Sequence, residues 1–185
     1  MSNSLRTLED YELFLYGLME RFPSVVRSTV ILIRIGATLA RVSGELYFKH
    51  NVRVVIRERL TYDRLPAMID GYGYEVWQGE DKLYWYDSQP HPDDPTLQST
   101  HPHHKHIQPD IKHHRVPAPE MSFTQPNLLA LIAEIERKLA KQLPQLYLTG
   151  AGLRGQGIPD CIRQSRDLVE HIMTDLQPTS QTWAA

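Results

Sequence analysis

Seven of the chain's nine histidines fall between His91 and His114, and four of them lie in one hexapeptide, His101-Pro102-His103-His104-Lys105-His106. Imidazole takes up or releases a proton close to neutral pH, and its neutral form ligates transition metals. Two chemistries therefore compete for this segment. In the first, His103, His104 and His106 move protons while Lys105 offsets the charge of a phosphate or a pentacoordinate phosphorus. RNA cleavage needs such a set: a base at the 2′-hydroxyl, an acid at the leaving oxygen and a cation between them, here Lys105 or a strand arginine. That chemistry requires no cofactor. In the second, neutral rings converge on a divalent transition metal, each oriented through its other nitrogen. If residues 101–106 are extended, His104 and His106 point to one face and His101 and His103 to the other. One short strand then supplies two ligands, His104 and His106, with His91 or Asp87 as a third. A set of surface histidines with no shared role is the third reading, because a His-rich tract is compositional evidence.

The elements that must position these residues are legible from periodicity. Thr7-Leu8-Glu9-Asp10 has the form of a capping box, and Leu8, Tyr11, Leu15, Leu18 and Phe22 recur at helical spacing until Pro23. From Arg27 to Asp63 the pattern turns β-branched and alternating, with turns expected at Gly36, Ser43-Gly44 and His50-Asn51. Two further strands, Gly73 to Gln78 and Lys82 to Tyr86, flank Gly79-Glu80-Asp81, a connection of hairpin type. Residues 88–126, rich in proline and histidine, read as a long loop with one short extended piece. Thr124 is placed to cap a second helix whose apolar stripe is Leu128, Leu131, Ile132, Ile135, Leu139 and Leu143. The order helix, strands, helix predicts an α+β fold. Its mainly antiparallel sheet is flanked by an N-terminal and a C-terminal helix, with a C-terminal helical appendage. The expected division is a single domain over 1–143, then a Gly-rich linker, a short helix and a disordered tail over 144–185.

Two groups on the expected sheet can hold a substrate. Arg53, Arg57 and Arg59 sit at odd positions of one strand and share a face, which makes either a basic stripe or a solvated face balanced by Glu45 and Glu58. The aromatic hairpin, Tyr74 and Trp85 foremost, offers either a platform for unstacked bases or cross-strand packing.

Composition narrows the partners. Twenty Lys and Arg against 22 Asp and Glu leave a formal net charge of −2, so there is no global pull toward nucleic acid or an anionic membrane, and any RNA contact needs a local patch. Residues 1–10 lack the basic start and apolar core of a signal peptide, and no apolar run approaches membrane-spanning length. A cytoplasmic protein without a membrane partner is the expectation. The one cysteine, Cys161, can form no internal disulfide, which fits a reducing compartment. Gly150-Ala151-Gly152-Leu153-Arg154-Gly155 matches the dinucleotide fingerprint in letters but not in context, because Pro144 and Pro159 interrupt the strand and helix it requires.

The run Gly73-Tyr74-Glu75-Val76-Trp77, then Lys82-Leu83-Tyr84-Trp85-Tyr86-Asp87, then His91-Pro92, then Pro102-His103-His104-Lys105-His106 resembles the TumE family of bacterial toxin–antitoxin systems. Ser88 stands where the family pattern has asparagine, and Pro92 replaces the second histidine of a pair. The resemblance covers about residues 8–143 and carries over onto Asp87, His91, His103, His104 and His106. It implies a small toxin that acts as a ribonuclease in the manner of the RelE-like messenger-RNA interferases. It also implies an antitoxin encoded nearby, usually with a helix-turn-helix.

The leading expectation is thus an endoribonuclease working by metal-independent His/Lys/Arg chemistry. Its catalytic residues are His103, His104, His106, Lys105, Asp87 and His91; Arg53, Arg57, Arg59, Tyr74 and Trp85 bind the substrate. The alternative is a non-catalytic interaction module that binds a divalent metal through His91, His104 and His106. A protein that binds nucleic acid without cutting it is a third possibility.

Overall fold

The computed structural model describes residues 3–142. The expected Gly-rich linker, the glycine fingerprint, Cys161 and the C-terminal helix and tail lie outside the described residues.

The chain divides into two units, residues 1–130 and 131–185. The first opens on a 3-10 turn, Ser4–Arg6, and helix α1, Leu8–Tyr16, whose N-terminus is capped as expected: the Asp10 backbone N–H donates to the Thr7 hydroxyl at 3.0 Å. The first helix stops at Gly17, earlier than the spacing predicts, and a single further turn, α2, runs over Leu18–Arg21. Glycine lowers helix stability by roughly 1 kcal/mol against alanine, which makes it a natural break.

Eight strands follow: β1 Val25–Ser28, β2 Ile31–Ile35, β3 Leu39–Phe48, β4 Val52–Thr61, β5 Met68–Gln78, β6 Asp81–Asp87, β7 His104–Ile107 and β8 Arg115–Pro117. They form one sheet in the order β1-β3-β4-β5-β6-β7-β8, with β2 also pairing with β3. Every pairing is antiparallel. The expected turns at Gly36 and His50-Asn51 are present, with all three residues in the left-handed region. Ser43-Gly44 is no turn. Gly44 lies inside β3, where the corner between β1 and β2 crosses so closely that a methyl group would overlap the Thr29 and Val30 backbone. Glycine is required there by contact as well as by its φ of 141°.

Between Ser88 and Pro126 the chain holds more regular structure than one extended piece: a 3-10 helix at Pro95–Thr100 and the two strands β7 and β8. Helix α3 spans Leu128–Gln142, starting later than a cap at Thr124 predicts. The Asn127 amide before it is buried, accepting from the Ser122 N–H at 2.8 Å and donating to Tyr74 Oη at 3.1 Å. Leu131, Ile132, Ile135 and Leu139 of its expected stripe are buried. Element order and pairing together make this an α+β fold with an antiparallel sheet between N-terminal helices and a C-terminal helix in the chain.

The two faces of the sheet differ in character, and that difference positions the site. Strand residues alternate sides. One face presents Leu46, Val54, Ile56, Tyr74, Val76, Tyr84 and Tyr86, all buried together with Tyr11, Phe14 and Leu15 of α1. In its middle lies the buried carboxyl of Glu58, which accepts from Tyr11 Oη at 2.6 Å and Tyr74 Oη at 2.7 Å. Burial raises its pKa, and the two tyrosine hydrogen bonds only partly offset that. The folded form therefore holds the Glu58 proton more tightly than the unfolded chain does. The stability this adds is full below the ordinary carboxyl range and is lost as pH rises through the raised folded value. Glu58→Gln has no such titration. Denaturant unfolding at a series of pH values is expected to show wild type losing stability relative to the variant as pH rises above the ordinary carboxyl range.

The opposite face is polar, exposed at Arg57 and Arg59 of β4 and increasingly buried toward β7. Across it the register sets Arg57, Gly73, Asp87 and His104 in one row and Glu75, Trp85 and His106 in the next.

Candidate active site

Strand β7 is short, but its alternation does what the sequence predicts: His104 and His106 share one side, Lys105 and Ile107 the other. Pairing with β6 brings His104 opposite Asp87 and His106 opposite Trp85. The result is a cluster. His104 Nε2 lies 3.1 Å from Asp87 Oδ1, His106 Nε2 lies 3.3 Å from Asp87 Oδ2, and the two Nε2 atoms are 3.0 Å apart. Both histidines are buried and Asp87 half-buried.

Backbone carbonyls decide the protonation of the two rings. His104 Nδ1 is 3.0 Å from the Pro102 carbonyl, and His106 Nδ1 is 3.1 Å from the Ile111 carbonyl. A carbonyl oxygen accepts and never donates, so each Nδ1 carries a hydrogen and each neutral ring keeps its lone pair on Nε2. Two lone pairs and a carboxylate thus face one another. They repel unless a cation, at minimum one proton, sits among them. Burial pushes the His104 imidazole below its ordinary pKa, against the raising effect of the Pro102 carbonyl and Asp87. Burial also works to raise the Asp87 carboxyl, but hydrogen bonding with His106 and from the Gln89 N–H, the charge of His104 and the Trp85 indole outweigh it and hold the carboxyl at about 2. Asp87 is thus a carboxylate at any physiological pH. Its outer lone pairs are taken by Trp85 Nε1 at 3.0 Å and the Gln89 N–H at 2.9 Å, which fix its plane.

Neighbours complete the surroundings. The Trp85 ring stacks on His106 with centroids 4.0 Å apart, and the His91 ring meets His104 edge-on at 4.8 Å. Arg57 and Arg59 lie exposed on the same polar face, ion-paired with Glu75 at 2.9 Å and Asp70 at 2.6 Å. Between the arginines and the cluster runs β5, whose positions on that face are Gly71 and Gly73, and nothing lies within 4 Å of where a Cβ on Gly73 would stand. Gly73 thus leaves a trough about 10 Å wide, two strand spacings, between Arg57 and the His–Asp cluster, while over Gly71 the Arg59 guanidinium and the Ser88 hydroxyl stand 3.7 and 3.8 Å from where a Cβ would be. Further along, Arg27 lies over Tyr47, Arg53 over Trp77 and Lys82 over both Trp77 and Trp85, so cations and rings alternate across the face from β1 to β6.

The structure brings together Asp87, His91, His104, His106, Trp85, Arg53, Arg57 and Arg59. It does not bring the other three to this face. Lys105 lies over the Tyr84 and Tyr86 rings on the core side, at 4.1 and 4.8 Å. His103 bonds Tyr72 Oη through Nδ1 at 2.9 Å and packs against Phe123, also on that side. Tyr74 is fully buried, stacked on Tyr72 and bonded to Glu58, so no base can stack on it. Arg115, opposite His106 on β8, was not a sequence candidate, and the buried Nε of its guanidinium has no hydrogen-bond partner among the described residues. No local signal marks it, because only the β7–β8 register sets it beside the cluster.

Among the described residues no helix is long and apolar enough to cross a membrane. Coproporphyrinogen III oxidase of Bacillus subtilis (strain 168) is 44% identical over 45 residues, 24% of this chain and 10% of that protein. The chain thus spans 10% of the length of the curated relative it matches, and this local likeness carries no activity across. No solved structure matches. The family model described as Toxin TumE matches residues 15–139, which include all eight strands and every member of the His–Asp cluster. With more than half of its 185 residues matched, the chain belongs to the TumE toxin family, whose toxin role implies an antitoxin partner.

Proposed function

We propose that the chain is an endoribonuclease toxin that cleaves RNA by acid–base chemistry without a metal. The observation that carries this reading is the placement of a His104–His106–Asp87 cluster and a pair of arginines on opposite banks of one trough. Attacking and leaving oxygens stand roughly in line on opposite sides of phosphorus. Two nitrogens 3.0 Å apart cannot serve both sides, so His104 and His106 act as one unit that accepts the 2′-hydroxyl proton. Asp87 orients that unit and balances the charge it gains. His91, edge-on to His104, is the second proton-transfer group and protonates the leaving 5′ oxygen. Arg57 and Arg59 hold the phosphate from across Gly73, and Trp85, in the next row, and Arg53, in the row beyond it, receive flanking nucleotides.

The substrate is RNA in the cytoplasm, and the antitoxin is a helix-turn-helix protein encoded beside the toxin. The test is cleavage of cellular RNA by purified toxin freed of its antitoxin; binding with no product would reduce the reading to a nucleic-acid-binding protein. Arg57→Ala and Arg59→Ala are each expected to weaken single-stranded RNA binding and to lower the slope of log K against log salt by about 0.7, one phosphate contact. Filter binding at several salt concentrations measures it, and unchanged slopes would remove the arginines from the site.

A further inference from the structure

The His–Asp cluster meets the requirements of a metal site in its donors, its orientation and its dimensions. Asp87, His104 and His106 each offer one ligand atom, all within 4.8 Å of one another. Both rings present an unprotonated Nε2, because each Nδ1–H is committed to a carbonyl, of Pro102 or Ile111. That is the tautomer a metal needs, held by the type of outer hydrogen bond that orients ligating histidines. Asp87 is oriented likewise by Trp85 Nε1 and the Gln89 N–H.

Dimensions discriminate further. In tetrahedral coordination with bonds of about 2.0–2.1 Å, neighbouring ligand atoms stand about 3.3 Å apart. The two nitrogens stand 3.0 Å apart, and each faces its own oxygen of Asp87, His104 Nε2 facing Oδ1 at 3.1 Å and His106 Nε2 facing Oδ2 at 3.3 Å. Each nearest pair is thus close to the tetrahedral spacing, and an ion is seated once the Asp87 carboxylate turns one oxygen toward both nitrogens.

We propose that Asp87, His104 and His106 bind one divalent transition-metal ion of the zinc class, through two imidazole nitrogens and one carboxylate oxygen. Two nitrogen donors favour zinc, cobalt or nickel over magnesium or calcium, which take oxygen ligands. Three protein ligands leave the fourth position to water. The ion takes up the lone pairs to which the proposed ribonuclease assigns proton transfer. This consequence rests on the ribonuclease reading: if that holds, the metal-loaded protein is the inactive form. Binding itself is independent of that reading.

The experiment uses the untagged full chain, stripped with a chelator and titrated with cobalt(II), then zinc. The expected result is saturable one-to-one binding, with the visible absorption of a low-coordinate cobalt site that zinc bleaches. His104→Gln and His106→Gln should each weaken it by at least about tenfold, while His113→Gln, at an exposed ring paired with Asp110, leaves it unchanged. Absence of one-to-one binding by wild type overturns the proposal, as does undiminished binding by a folded His104→Gln. Should the variants fail to fold, imidazole proton–nitrogen spectra of wild type decide: zinc must shift both Nε2 resonances and leave both Nδ1–H bonds in place, and unmoved Nε2 resonances overturn it.

RNA cleavage, followed in parallel, separates the two readings. Zinc that binds and stops cleavage supports both. Zinc that binds a protein inert toward RNA with and without chelator supports the metal site and overturns the ribonuclease. Zinc that binds and is required for cleavage supports the metal site and overturns metal independence.

Discussion

Gly73→Val is expected to leave the protein folded and to lower RNA cleavage by about a hundredfold or more. Gly73 lies in the middle of β5 with an ordinary strand backbone, and a Cβ there would meet nothing within 4 Å. Valine is among the best strand formers, and glycine in a strand interior is destabilising by roughly 0.5–1 kcal/mol against alanine, so thermal stability should hold or rise. The cost falls on the substrate. The branched side chain fills the trough between Arg57 and the Asp87–His104 pair, in the row where the proposed mechanism puts the phosphate. A displacement of about 1 Å from the reacting geometry can cost a hundredfold in rate. Single-turnover cleavage beside a melting curve reads both effects. Wild-type cleavage by a folded Gly73→Val would show that RNA does not cross the sheet there.

His104→Ala and His106→Ala are each expected to slow cleavage by about 10²–10⁴-fold, the range for loss of a positioned acid or base. The more telling quantity is their combination. Because the two Nε2 atoms are 3.0 Å apart and would share the proton that the proposed unit accepts, either substitution disables the same unit. The double variant should be little slower than either single one, as for residues that act together. Multiplicative losses would mean two independent groups. His103→Ala and Lys105→Ala provide the contrast: both lie on the core side of the sheet, against Tyr72 and over Tyr84 and Tyr86, and cleavage by either variant should stay within a few-fold of wild type. Circular dichroism of all five variants separates lost chemistry from lost structure. A rate collapse in folded Lys105→Ala would place the phosphate on the other face.

The features legible in the residues are those whose physics is local. Strand alternation is a property of the backbone, so the shared side of His104 and His106, and that of Arg53, Arg57 and Arg59, follow once a strand is recognised. The Thr7 cap, the Gly79 hairpin and the apolar stripe of α3 are short-range in the same way. Motif order adds one non-local element, since the spacing of Tyr-Asp and Pro-His-His-Lys-His identifies the family and marks Asp87 and His91. Less legible were residues whose competing environments have the same residue preferences. A tyrosine on a hairpin suits a stacking platform and a core equally; Tyr74 went to the core, where Glu58 and Asn127 satisfy its hydroxyl. Lys105, read as part of one histidine cluster, is turned away from it by the same alternation that unites its neighbours.

The family, the α+β class, and the side chains that share a face within each strand follow from helical and strand periods and from motif order, all of which are written along the chain. Which faces meet is set by long-range strand pairing. The registers of β6 with β7 and of β4 with β5 set Asp87 against His104 and Arg57 across Gly73 from both. A one-residue slip of either register would send half of these groups to the core side, and no local feature specifies the choice. It is made by the burial of Tyr74, Val76, Tyr84 and Tyr86 on the opposite face, whose removal from water holds the strands in the register that assembles the site.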